Sequence, residues 1–224
     1  MPFRDRTDAG RRLAGALAGY RDQRPIVLAL PRGGAAVAAE VAQALNAPLD
    51  LILVRKIGVP FQPELAMGAV ADGPNPLVVR NEDVVALSGV SDENFAAVRD
   101  RELEEIQRRR TRYLGDRPRP DLKQRVAVVV DDGIATGATT RAALRTVKAQ
   151  KPERVILAVP VAPTSTLAEL RSEADEIVCL EEHEPFYAIG AYYSDFRQVS
   201  DEEVIDALAR FPAVQPGAPK ASAR

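Results

Sequence analysis

Residues Val126 to Leu144 read VAVVVDDGIATGATTRAAL. An apolar, mostly β-branched run of this length reads as a strand buried on both faces, and Thr140 to Gln150 follows it as a helix. Between them lie two adjacent carboxylates and a loop of Gly, Ala and Thr with no lysine. A glycine-containing turn that opens a helix gathers unpaired N–H groups and the positive end of the helix dipole, and together these bind a phosphate monoester. Thr136, Thr139 and Thr140 add hydroxyl donors, while Gly133 and Gly137 allow a tight turn and a close approach to the ligand. GIATGATT lacks the lysine of a Walker A loop and is not a dinucleotide fingerprint. Asp131 and Asp132 do not bind phosphate, so a ligand held here carries a second feature. Vicinal hydroxyls that donate to carboxylates meet the need, as does a divalent cation held by oxygens. A ribose 5-phosphate joins both features at the right separation. The simpler reading is that the two acids only end the strand and cap the helix.

The same alternation recurs outward from this stretch. Pro25 to Leu30 (PIVLAL) reads as a buried strand, PRGG as a turn, and AAVAAEVAQALN as a helix closing near Asn46. Leu49 to Val54, Arg154 to Pro160 and Glu176 to Leu180 read as further strands, with Pro163 to Arg171 as another helix. Continuous apolar strands alternating with helices predict an α/β fold with a parallel sheet covered on both faces. Ligands of such sheets bind beyond the carboxyl ends of the strands. Two segments interrupt the pattern. From Lys56 to Val79, Pro60, Pro63, Pro74 and Pro76 exclude helix and predict a long loop followed by a short hairpin. An inserted helix spans roughly 91–115, with Ser91 as cap, Asp92 and Glu93 in its first turn and arginines toward its end. Its run QRRRTRY invites a nucleic-acid reading. Glu102, Glu104 and Glu105 just upstream favour a solvated or dimer-covering helix instead.

Composition bounds the rest. The chain has 224 residues, 46% of them hydrophobic and 28% charged, enough for one sizeable core. One domain over 1–211 is expected, with the Pro-, Ala- and Gly-rich 212–224 as a disordered tail. The formal net charge of −2 offers no general attraction to nucleic acid or anionic membranes. Cys179 is the only cysteine and His183 the only histidine, which excludes an intramolecular disulfide and Cys- or His-rich metal centres and fits a reducing cytoplasm. No apolar run approaches the roughly 18 residues that a membrane-spanning helix requires.

Val128 to Thr140 resembles the phosphoribosyl-diphosphate motif of the type I phosphoribosyltransferases. The resemblance implies that Asp131 and Asp132 hold the ribose 2- and 3-hydroxyls. It implies that Ala135, Thr136, Gly137, Ala138, Thr139 and Thr140 hold the 5-phosphate. Mg2+ is the implied cofactor, met by Asp131 and Asp132 mainly through ribose hydroxyls and water. Pro31-Arg32-Gly33-Gly34 resembles the family's pyrophosphate loop, in which Arg32, Gly33 and Gly34 meet the leaving group. Val54-Arg55-Lys56 stands where the family has a mobile catalytic loop. PFYAIGAYYSDFRQV resembles the hood segment, roughly 181–200, with Phe186 and Tyr187 as base contacts. RDRTDAGRRLA, LPRGG, VRKIGVP, ELAMGAV and GAYYSDF together are most similar to one bacterial subgroup.

The implied activity is transfer of phosphoribose from phosphoribosyl diphosphate to a nitrogen base or amine, with Arg32, Lys56 and Asp132 as catalytic residues and a homodimer as the assembly. Purine-specific members place a lysine before the hood, whereas this chain has His183-Glu184-Pro185, which favours an amino or N–H edge on the acceptor. The missing lysine also motivates an alternative, a non-catalytic regulatory protein that binds phosphoribosyl diphosphate. A receiver-like phosphorylation domain fits poorly, because its acid pair follows the first strand.

Overall fold

The structure, a computed structural model, describes residues 2–73 and 75–213. Of the expected tail, all but Pro212 and Ala213 lies outside the described residues. In chain order the elements are α1 (Arg6–Ala16), β1 (Pro25–Ala29), α2 (Gly33–Leu45), β2 (Leu49–Leu51), β3 (Val54–Val59), β4 (Gln62–Ala71), β5 (Leu77–Arg80) and α3 (Glu82–Ser88). Then follow α4 (Asp92–Leu114), β6 (Val126–Val130), α5 (Ala138–Ala149), β7 (Arg154–Pro163), α6 (Thr164–Leu170), β8 (Glu176–His183) and α7 (Asp201–Ala209).

Five strands form a parallel sheet in the order β2-β1-β6-β7-β8. Each of the two central strands alternates its side chains between two cores, as a sheet covered on both faces requires. Val27, Ala29, Val128 and Val130 face Val37, Val41 and, from α7, Val204. Ile26, Leu28, Ala127 and Val129 face Leu144 and Val147 of α5 and Leu167 of α6. Burying one such side chain contributes about 1.5–3 kcal/mol, so the apolar runs themselves hold the sheet together. Gly10 of α1 lets α2 approach closely: a Cβ there would lie 2.7 Å from the Val37 carbonyl oxygen.

The expectation of a long loop from Lys56 to Val79 requires correction. β3, β4 and β5 make a three-stranded antiparallel sheet that takes up most of that segment. Proline excludes helix, but Pro60 and Pro63 sit where a sheet tolerates them. Pro60 lies in the β3–β4 turn and Pro63 at the start of β4, opposite register shifts around Gly58. A Cβ on Gly58 would lie 2.5 Å from the Pro63 carbonyl oxygen, so glycine is required for that close pairing. The inserted helix forms as expected, with Ser91 Oγ accepting from the Asn94 amide at 3.2 Å. Its apolar stripe is not left to solvent. Phe95, Val98, Ile106, Tyr113 and Leu114 are buried, and the helix packs on β3 and β4. At its end, Tyr113 Oη donates to Asp201 Oδ1 at 2.6 Å and Arg112 pairs with Glu202 at 2.8 Å, which fastens α4 to α7.

Candidate functional site

β1 and β6 lie side by side from Pro25 opposite Val126 to Ala29 opposite Val130, so the loops that leave them emerge together. The Leu30 amide continues the pairing by donating to the Val130 carbonyl at 2.9 Å. PRGG and DDGIATGATT therefore meet at the carboxyl end of the sheet. The contact is too close for any side chain on the first loop. A Cβ on Gly33 would lie 1.9 Å from Asp132 Oδ2, and one on Gly34 would lie 3.1 Å from Asp131 Oδ1 and 2.9 Å from the Val130 carbonyl oxygen. Glycine at both positions is thus a packing requirement of the acid pair.

The two acids have different surroundings. Asp132 is 8% exposed, and its Oδ2 accepts a 2.7 Å bond from Arg6 Nε in α1. That guanidinium is itself fixed: Nη1 donates to the Arg197 carbonyl at 2.8 Å, and Cζ lies 3.9 Å from the centre of the Phe196 ring. Tyr193 Oη donates to the Asp132 carbonyl at 2.5 Å. Burial, reinforced by the neighbouring carboxylates Asp132 and Asp131, raises the Tyr193 hydroxyl pKa well above its usual range, so it stays a donor. Burial pushes the Asp131 carboxyl well above the ordinary carboxylate range, and the charge of Asp132 pushes it further. The Asp132 amide donates to Asp131 Oδ1 at 2.8 Å.

The phosphate-loop candidates lie beside this pair. Gly137 caps α5 with φ +73°, and no side chain closes the helix end. Its first-turn amides thus remain the donors that an anion at this place would meet. Ala135 and Thr136 are exposed and Ala138 and Thr139 half-buried, whereas Thr140 is only 3% exposed and faces the core. A cleft of about 500 Å³ runs from Pro31 of the first loop and Thr139 of the second to Lys56 on β3 and Arg109 on α4. Arg32 follows a cis peptide bond and leans away toward α7, its Nη1 3.8 Å from Asp201 Oδ1. Lys56 reaches the cleft from a strand, not from a mobile loop.

The hood folds onto the acid loop, for a Cβ on Gly133 would lie 2.6 Å from Ile189 Cγ2. Phe186 is half-buried and stacks on Tyr192 at 5.0 Å, and His183 stacks on the same Tyr192 at 4.3 Å. Tyr187, by contrast, is 84% exposed. The two aromatic candidates thus have different surroundings, one within a stack and one on the surface.

The profile of the phosphoribosyl transferase domain matches residues 4–197. The chain belongs to the phosphoribosyl transferase domain family. Proteins from two strains of Mycobacterium tuberculosis, CDC 1551 / Oshkosh and ATCC 25618 / H37Rv, both provisionally named as phosphoribosyl transferases, are each 48% identical to it over 208 residues. The alignment covers 93% of this chain and 46% of each relative, so the chain spans about half the length of these curated proteins. The crystal structure of TT1426 from Thermus thermophilus shares 42% identity and superposes with a TM-score of 0.80, over 94% of this chain and 99% of that one. The parallel sheet and small antiparallel sheet are therefore those of a phosphoribosyltransferase fold. Among the described residues no helix is long and apolar enough to cross a membrane.

Two residues that meet the acid pair carry no local signal in the sequence. Arg6 stands 126 positions before its partner Asp132. It is one letter of RDRTDAGRRLA, a stretch with no catalytic pattern of its own. Tyr193, inside GAYYSDF, is one aromatic among several. What marks them is hydrogen bonding to Asp132, which only the fold supplies.

Proposed function

We propose that the chain is a phosphoribosyltransferase that moves the phosphoribosyl group of phosphoribosyl diphosphate to a nitrogen nucleophile and releases diphosphate. The observation that carries this reading is the contact of Gly33 and Gly34 with Asp132 and Asp131. It joins a loop suited to the leaving diphosphate to a carboxylate pair suited to ribose hydroxyls. Beside the pair, the side-chain-free start of α5 is suited to the 5-phosphate.

In the proposed reaction the anomeric carbon loses its bond to diphosphate as the acceptor nitrogen forms the new one, and positive charge develops on the ribose ring. Asp131 and Asp132 orient the sugar and lie near that charge. Lys56 and Arg32 offset the charge that grows on the diphosphate; Arg32 would have to turn from Asp201 to do so. Asp132 also holds the weaker candidacy for taking the acceptor's proton. Mg2+ supplies further neutralisation of the diphosphate when bound. Among the described residues no group of three or more His, Cys, Asp or Glu is arranged to hold a metal. In the proposal Asp131 and Asp132 would hold the ion mainly through ribose hydroxyls and water. Phe186 and Tyr187 are the proposed acceptor contacts, and His183-Glu184 favours an amino or N–H edge on the acceptor. A homodimer in the cytoplasm completes the proposal, with light scattering as the check on its assembly.

Incubation with labelled phosphoribosyl diphosphate, Mg2+ and a panel of bases and amines tests the reading. Acceptor-dependent release of diphosphate supports the transferase. Tight donor binding with no acceptor supporting release would point to the regulatory alternative, and no donor binding at all would refute both.

A further inference from the structure

The long helix α4 is not used by the proposed reaction, yet it forms one wall of the cleft that holds Lys56. Val98, Arg101, Glu102 and Arg109 of α4 line that cleft opposite Pro31 and Thr139. Arg55 also faces it, with its Nε donating to Glu102 Oε2 at 2.8 Å. The cleft lining thus carries Arg55, Lys56, Arg101 and Arg109 against Glu64 and Glu102, a surplus of positive charge in a chain whose net charge is −2. Arg109 has no carboxylate to itself. Its Nε donates to Glu105 Oε1 at 2.7 Å, but Glu105 is also gripped through both oxygens by Arg108. One glutamate between two arginines leaves one positive charge over, and the arginine on the cleft side is Arg109.

We infer that α4 supplies the far wall of a diphosphate subsite and that Arg109 is a binding residue for the leaving diphosphate. The inference rests on the proposed donor, because the loop at α5 accounts for one phosphate and the cleft beside it for a second, more highly charged group. An arginine fork matches phosphate oxygens in pairs, which a lone lysine does not. A cleft of about 500 Å³ suits a small polyanion, whereas a nucleic-acid strand would need an extended basic face.

The test compares three probes with Mg2+ by calorimetry: phosphoribosyl diphosphate, ribose 5-phosphate and inorganic diphosphate. Arg109→Gln is expected to weaken phosphoribosyl diphosphate and inorganic diphosphate by about ten-fold while leaving ribose 5-phosphate within about two-fold, the size of one charge-assisted contact. Arg99→Gln, on the same helix but paired with Asp100 and outside the cleft lining, serves as the control and is expected to change none of the three. Equal weakening of all three probes by Arg109→Gln, or no weakening of the two diphosphates, overturns the inference. Failure of the unsubstituted protein to bind ribose 5-phosphate, with diphosphate binding that still depends on Arg109, would remove the donor and keep the subsite.

Discussion

Arg6 Nε and Asp132 Oδ2 are 2.7 Å apart, with the two side chains 11% and 12% exposed. The first helix of the chain thus carries the counter-ion of an acid at the far end of the central strand β6. Removing one partner of a buried pair strands the other charge, at a cost that exceeds the net worth of the pair. Arg6→Ala is therefore expected to lower stability by about 3 kcal/mol, read as a drop in denaturation midpoint. Arg6→Lys restores the charge but not the stacking over Phe196 or the fixed fork, so it should recover only part of the loss. A midpoint for Arg6→Ala within error of the parent would refute the role.

Glycine substitutions should divide by location. Gly33→Ala places a methyl group 1.9 Å from Asp132 Oδ2, so the carboxylate or the loop must shift. Overpacking of this kind costs about 1–3 kcal/mol, and donor binding should fall with it. Gly15, exposed near the end of α1, would have nothing within 4 Å of an added methyl, and Gly15→Ala should stabilise by up to about 1 kcal/mol. Parallel thermal melts check both signs.

Asp131 yields a pH prediction. Its carboxyl is raised from an ordinary value of 3.8, first by burial and then by Asp132. The folded chain therefore keeps a proton there that the unfolded chain gives up. That contribution to stability is fully present below 3.8 and is lost as pH rises through the raised folded value. Asp131→Asn removes the loss, so the variant should be more stable than the parent at pH 7 while donor binding is abolished. Urea melts across pH 3 to 8 should show a shallower decline toward neutral pH in the variant. Equal stability of the two at pH 7 would contradict the assignment.

The start of α7 offers a test outside the site. Ser200 Oγ accepts from the Glu203 amide at 3.2 Å, and Glu203 Oε2 accepts from the Ser200 amide at 2.9 Å. Arg197 and this cap hold the Glu203 carboxyl down at about 2. A lowered folded value means stability that is present above 4.5 and lost as pH falls toward 2. Ser200→Ala should cost about 1 kcal/mol at neutral pH, by chemical denaturation, and should leave the acid slope in place, because the amide at position 200 and Arg197 still hold the Glu203 carboxylate.

Much of this molecule is legible in its letters for a physical reason. PIVLAL and VAVVV are uninterrupted apolar runs, and only a strand covered on both faces buries every residue of such a run. Gly133 and Gly137 beside paired acids mark a loop whose backbone must come close to something. Lys56 to Val79 defies its expectation because proline breaks helix without excluding every sheet position, and Pro60 and Pro63 fall at a turn and a bulge. The burial of Thr140 depends on where α5 sits on the sheet, and the α4 stripe is faint amid so many charges. Arg6 and Tyr193 meet Asp132 across long stretches of chain, and no local pattern encodes that meeting.

The pairing of β1 with β6 also sets an order of events. Until Val126 to Val130 dock beside β1, the acid pair and the start of α5 are not brought against PRGG. Contacts this distant along the chain form slowly, since a long loop must close before they repay its entropy. In refolding, helix signals should recover before ligand binding, and binding of a ribose phosphate would then mark the last closure of the molecule.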